Sequence, residues 1–265
     1  MLKGIFDSHT HLNDSRYKEL NYTTEEIVKQ AKEVGVDLMC NVGFDINSSK
    51  LAIKQAQSNP GVYAAVGIHP NDVHKFDLKK DAEEINYLAM SNKVVAIGEV
   101  GLDYFYSREN RSEQIEWFKE QIKIAKTNNL PVMMHLRDEP GKYEAYDDAL
   151  VILKDLKVKA SIVHCFTVNL EYAKKFVQFG SFISIPGVVT FSNAKDLQEA
   201  VKWIPLSSLL IETDAPYLTP EPNRGKINFP KHIIHTANKI AELKKISVDN
   251  VVSSTRLNAQ KIFHI

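Results

Sequence analysis

The chain has only two cysteines in 265 residues, Cys40 and Cys165. That is too few for a disulfide framework, and without a Cys-x-x-Cys pair neither a thiol redox motif nor a cysteine zinc site is available. Asp7 and His9 follow so soon after the start that no signal-peptide apolar core fits before them, so the expected compartment is the cytoplasm. No apolar run approaches the roughly 18 residues of a membrane span, and no membrane association is expected. Net charge is absent too, because 33 basic residues balance 33 acidic ones. Nothing in the overall charge draws the chain to nucleic acid, so any phosphate recognition has to be local. Arginine is scarce, with six in all. Four of them, Arg16, Arg108, Arg137 and Arg224, fall in loops after predicted strands, where a bidentate guanidinium suits an anionic substrate. With no linker, low-complexity segment or internal repeat, residues 1–265 read as a single domain.

What is present is a recurring unit: a short apolar run, a polar loop, then an amphipathic stretch. The runs are Gly4 to Phe6, Val36 to Asn41, Val62 to Ile68, Val94 to Glu99, Pro131 to His135, Ala160 to His164, Ser181 to Ile185 and Ser208 to Glu212. Ser112 to Asn128 is the clearest helix between them, with Ile115, Phe118, Ile122 and Ala125 on one face. Thr23 to Val34 opens with a capping signal and is followed by Gly35 as a stop. Strand then helix, eight times, predicts an α/β fold, a single (β/α)8 barrel of TIM type. A doubly wound sheet would place a Gly-rich phosphate turn after the first strand, where this chain has Asp-Ser-His-Thr-His. Ser247 to Phe263 reads as an extra C-terminal helix packed outside the barrel.

The run Val94 to Glu99 delivers a carboxylate at the end of a strand expected to be buried. An unpaired buried carboxylate costs several kcal/mol by rough estimate, so Glu99 requires a cation. His9 and His11, two apart, point to one face of the first strand. Taken alone that pair is weak evidence of a metal. In company with His135 and His164 at the ends of the fifth and sixth runs, and Asp214 beyond the eighth, it becomes a site, because strand ends meet at one mouth of a barrel. Four histidines and two carboxylates exceed the three protein ligands of one catalytic zinc. Two ions would use them all, with His9, His11 and Asp214 on one, His135 and His164 on the other, and Glu99 bridging. The cofactor is therefore one or two divalent ions, with Mg, Mn and Zn all compatible with nitrogen and oxygen ligands.

Five motifs in order carry a resemblance: Phe-Asp-Ser-His-Thr-His-Leu from Phe6, Gly-Ile-His-Pro from Gly67, Gly-Glu-Val-Gly-Leu-Asp-Tyr from Gly98, His-Cys-Phe-Thr from His164, and Glu-Thr-Asp-Ala-Pro-Tyr-Leu-Thr-Pro from Glu212. From residue 5 to about 263 the chain resembles the TatD family of metal-dependent deoxyribonucleases in the amidohydrolase superfamily. The resemblance implies a β/α barrel with one or two metals, and hydrolysis of DNA, often from a 3′ end, with DNA as the partner. It marks the same six residues, His9, His11, Glu99, His135, His164 and Asp214. Three departures from the family pattern are Phe229 where Asn-Glu-Pro is usual, Val168-Asn169 where a Gly is common, and Glu139 in place of a small residue. None falls on a ligand, so they bear on substrate preference and the shape of the mouth.

The chemistry expected is attack by a metal-bound hydroxide, with Asp214 orienting the water and accepting its proton. His69, Arg137 and Arg224 are the candidates for contact with a substrate phosphate. Tyr104 and Phe105 are read as packing beneath their loop in preference to stacking on a base. Two rival readings remain: an ester or amide hydrolase of the same superfamily, such as a D-aminoacyl-tRNA deacylase, and a catalytically silent binding or scaffold barrel.

Overall fold

The computed structural model describes residues 2–265. Eight parallel strands stand in sequential order: β1 (Ile5–Thr10), β2 (Val36–Val42), β3 (Val62–Val66), β4 (Val94–Asp103), β5 (Val132–Arg137), β6 (Ser161–Val163), β7 (Phe182–Ile185) and β8 (Leu209–Ile211). Ten helices alternate with them: α1 (Ser15–Glu19), α2 (Thr24–Glu33), α3 (Ile46–Ser58), α4 (Leu78–Ala89), α5 (Arg111–Thr127), α6 (Glu144–Asp155), α7 (Leu170–Phe179), α8 (Lys195–Trp203), α9 (Ile233–Lys244) and α10 (Val248–Phe263). This is the expected (β/α)8 barrel. Among the described residues no helix is long and apolar enough to cross a membrane.

Three strands run two or more residues further than their apolar stretches. β1 continues to Thr10, β4 to Asp103 and β5 to Arg137. Hydrophobicity ends a run at the first polar residue, but the ladder does not, so His9, Glu99 and His135 sit within strands instead of at their tips. β4 is buried along its whole length. Gly101 permits its close pairing with β5, since a Cβ there would lie 2.1 Å from the His135 carbonyl oxygen.

The seam between β8 and β1 is closed by loop backbone and side chains. Asp214 N–H donates to the His9 carbonyl (2.9 Å) and His11 N–H to the Ala215 carbonyl (2.7 Å). Thr213 donates to the Asp7 carboxyl from its N–H (2.9 Å) and its Oγ1 (2.6 Å). Burial still pushes that carboxyl up to about 8. These bonds hold the two ends of the chain's site in register.

The core has two parts, as alternation along strands requires. Ile5, Met39, Ile97, Met134 and Val163 face the helices. Phe6, Cys40, Val95, Met133, Ile162 and Leu210 form an inner cluster, joined by Ala259, Ile262 and Phe263 of α10. The C-terminal helix therefore contributes to the inner core and does not merely pack outside, with Phe263 5.5 Å from Phe6 between ring centroids. Ser247 caps its first turn, and Asn258 ties it to the Leu206 and Leu209 carbonyls.

Candidate metal centre

Local packing aims each imidazole. His11 donates from Nδ1 to the Val42 carbonyl (2.9 Å), which leaves Nε2 facing the barrel mouth. His9 Nδ1 lies 3.1 Å from Met133 Sδ. Met133 reaches that place because residue 98 is glycine; a Cβ there would lie 2.6 Å from Met133 Cβ. The His164 ring stacks on His9 with centroids 3.8 Å apart. Asp214 holds a left-handed backbone (φ 53°), a conformation Asp tolerates better than most residues.

All six expected side chains converge, and Glu99 is the hub. Its Oε2 lies 3.6 Å from Nε2 of both His9 and His11. Those two nitrogens are 3.1 Å apart, and Asp214 Oδ1 lies 3.7 Å from the first and 3.4 Å from the second. Around an ion with ligands at about 2.1 Å, a tetrahedron has edges of about 3.4 Å, so His9, His11 and Glu99 are spaced to hold one, with Asp214 beside the two imidazoles. The other oxygen, Oε1, lies 2.8 Å from His135 Nδ1 and 2.8 Å from His164 Nε2. One carboxylate thus divides its two oxygens between two groups of imidazoles.

The charges explain why a cation belongs here. Burial alone would raise the Glu99 carboxyl, but the imidazoles of His164 and His69 and hydrogen bonds from His135 and His164 outweigh it and hold it well below the usual carboxylate range. Burial, reinforced by His164, pushes His9 down to about 3, so it offers a lone pair. Burial also opposes protonation of His11, His135 and His164, yet the carboxylates beside them raise all three. Imidazoles are the ion-pair partners of Glu99 and Asp214, with neither Lys nor Arg against them among the described residues. A divalent ion would supply that positive charge while leaving the rings neutral.

Two residues that sequence reasoning did not single out stand against these side chains. Asp103 accepts from His135 Nε2 (3.0 Å) and from Asn71 Nδ2 (3.1 Å). Glu212, fully buried, accepts the Cys165 N–H at 2.6 Å and approaches His164 Nδ1 at 3.4 Å; its Oε2 has no hydrogen-bond partner. The signal for Glu212 was available, since a charge closes the eighth apolar run. Asp103 gave no such sign, because only the extension of β4 brings it beside His135.

The phosphate-contact candidates separate. His69 Nδ1 accepts the Asn71 N–H (3.1 Å), so Nε2 carries the proton and faces Glu99 Oε1 at 3.5 Å. His69 and Arg137 line a cavity of about 980 Å³ that also contains Glu99, His135, His164 and Asp214. Arg224 is not brought to that cavity. It stands exposed with its guanidinium 4.2 Å from the Phe191 ring centroid. Phe229, one of the departures from the family pattern, is buried against Tyr17 and Tyr22, away from the mouth it was expected to shape.

The TatD-related DNase family model matches residues 6–264. YabD of Bacillus subtilis strain 168, a metal-dependent hydrolase, is 40% identical over 263 residues, covering 98% of this chain and 99% of that one. YcfH of Escherichia coli K12, likewise a metal-dependent hydrolase, is 35% identical and covers 98% of this chain and 96% of its own. Among solved structures, the TatD homologue YjjV of Escherichia coli K12 superposes with a TM-score of 0.90 at 26% identity over the full length of both chains. With a matching barrel, a cation-demanding cluster at its mouth and relatives of this closeness, the chain belongs to the TatD family and is a metal-dependent hydrolase.

Proposed function

We propose that the chain is a deoxyribonuclease that hydrolyses phosphodiesters of DNA, working from an unpaired 3′ end. The observation that carries this reading is the division of Glu99. One carboxylate oxygen faces His9, His11 and Asp214, and the other faces His135 and His164, which fits two bridged ions. A pair of divalent ions there would lower the pKa of a bound water toward about 7 and offset charge on both the attacking and leaving oxygens of a phosphoryl centre.

The chain's own residues then have distinct tasks. Asp214 stands at the edge of the cavity, held by its N–H bond to the His9 carbonyl, and serves as acceptor for the proton of the attacking water. His69 presents an N–H from Nε2 toward the same centre and donates to a non-bridging phosphate oxygen. Asp103 holds the His135 ring from behind by a hydrogen bond, so its orientation is set before substrate arrives, and Glu212 faces His164 Nδ1 at 3.4 Å.

The test is cleavage of an end-labelled single-stranded oligonucleotide by metal-stripped protein, with Mg, Mn or Zn restored and the Asp214→Asn variant alongside. Metal-restored ladders shortening from the 3′ end, absent in the variant, are the expected result. Folded, metal-loaded protein that leaves DNA intact yet hydrolyses a carboxylic ester would overturn the choice of phosphodiester.

A further inference from the structure

We propose that Tyr106, with Phe105 and Arg137, forms a stacking platform for one unpaired nucleobase beside the metal centre; this rests on the nuclease reading above. Three aromatics follow β4 in succession and meet different fates. Tyr104 is fully buried and donates from its hydroxyl to Asp148 (2.7 Å), so it anchors the loop. Phe105 and Tyr106 are 41% and 60% exposed. Their rings meet edge to face at 4.6 Å, and the Arg137 guanidinium lies 4.5 Å from the centroid of each.

That exposure is held in place by the loop. Asp103 Oδ1 accepts the N–H groups of both Phe105 and Tyr106 at 2.9 Å. Gln114, wholly buried, donates to the Asp103 carbonyl (3.1 Å) and the Ser107 carbonyl (2.7 Å), and Ser107 Oγ donates to Asn71 (3.0 Å). A ring presented on a fixed backbone loses little freedom when a ligand stacks on it. The same Asp103 carboxylate bonds His135, so the platform and the metal centre share one support.

The cavity wall gives the second argument. Tyr106 and Arg137 line it together with Glu99 and His135. Its other cation, Lys142, is already bonded to Glu139 at 2.6 Å, while Asp138 and Asp196 add negative charge to the wall. Phosphates flanking the cleaved one therefore meet few free cations, and base stacking has to supply the grip. An aromatic face accepts any of the four bases, and a duplex buries its base faces in its own stack, so the platform favours an unpaired end over a paired one.

The experiment uses metal-loaded protein and two oligonucleotides that differ only in carrying a base or an abasic sugar beside the cleaved phosphate. Tyr106→Ala is expected to raise KM about tenfold for the base-bearing strand, in the range that one stack contributes, and less than twofold for the abasic strand. With 2-aminopurine at that position, wild-type protein should quench fluorescence in the mixing phase before cleavage, Tyr106→Ala should not, and Tyr106→Phe, which keeps the ring, should restore the quench. An equal KM change on both strands, or none on either, would overturn the proposal. Quenching by wild type without cleavage would retain the platform and refute the nuclease reading. Cleavage without quenching would do the reverse.

Discussion

At the lower end of the barrel, Phe6 on β1 and Leu210 on β8 share an apolar cluster with Ala259, Ile262 and Phe263 of α10. Three residues beyond Phe6 on β1 stands His9, and at the same upper end stand His135 on β5 and His164 just past β6. Both ends are buried, but for opposite physical reasons. The lower end removes apolar surface from water and stabilises the fold by roughly 1.5–3 kcal/mol for each large side chain. The upper end gathers carboxylates and imidazoles whose burial is unfavourable until positive charge is shared among them. A barrel of this kind is stable at one end so that the other can hold groups which, alone, would push it apart.

The two ends differ most at Asp214. Asp214→Asn is expected to reduce kcat about 10³-fold, the scale of a lost proton acceptor, while the thermal midpoint of the metal-free protein stays within about 2 °C. A turnover assay beside a melting curve checks both, and a matching collapse of the melt would place Asp214 with the structural residues. Phe263→Ala probes the opposite end. It should cost about 3 kcal/mol of stability in a urea titration, roughly 100-fold in the folding equilibrium, and leave kcat per folded molecule within twofold. A comparable fall in kcat would show that the two ends are coupled.

Smaller effects sharpen the upper end. Asp103→Asn keeps a group beside His135 but loses the carboxylate, and metal affinity measured by competition with a chelator should fall about 10–100-fold. Unchanged affinity would reduce Asp103 to a loop residue. The smallest effect concerns salt. Even with both wall cations, Arg137 and Lys142, released to flanking phosphates, log KM should change with log salt with a slope no steeper than about 1.4 at fixed metal. A steeper slope would mean a longer phosphate track than the cavity wall provides.

Strand and helix order was legible because apolar runs and amphipathic stretches each keep their own period, and the six converging residues were legible because each closes a run or follows one. Where the reading fell short, polar residues did structural work. His9 and His135 lie inside strands whose apolar character had already ended. Asp103 and Glu212 act through His135 and His164, a relation set by three-dimensional register and not by spacing in the chain. The inner position of α10 follows from the open lower end of the barrel, which amphipathicity alone does not reveal. Phe105 was expected to pack beneath its loop with Tyr104, and the structure exposes it beside Tyr106 instead. Tyr104 packs inward, and the hydrogen bonds of Asp103 turn the chain so that the following two rings are exposed, with Tyr106 on the cavity wall.

Anomalous diffraction from crystals grown with excess Mn or Zn would reveal whether Glu99 serves two ions at once. Two peaks about 3.5–4 Å apart are expected, one on the side of His9, His11 and Asp214 and one on the side of His135 and His164, with Glu99 between them. A single peak at saturating metal would contradict the Glu99 bridge.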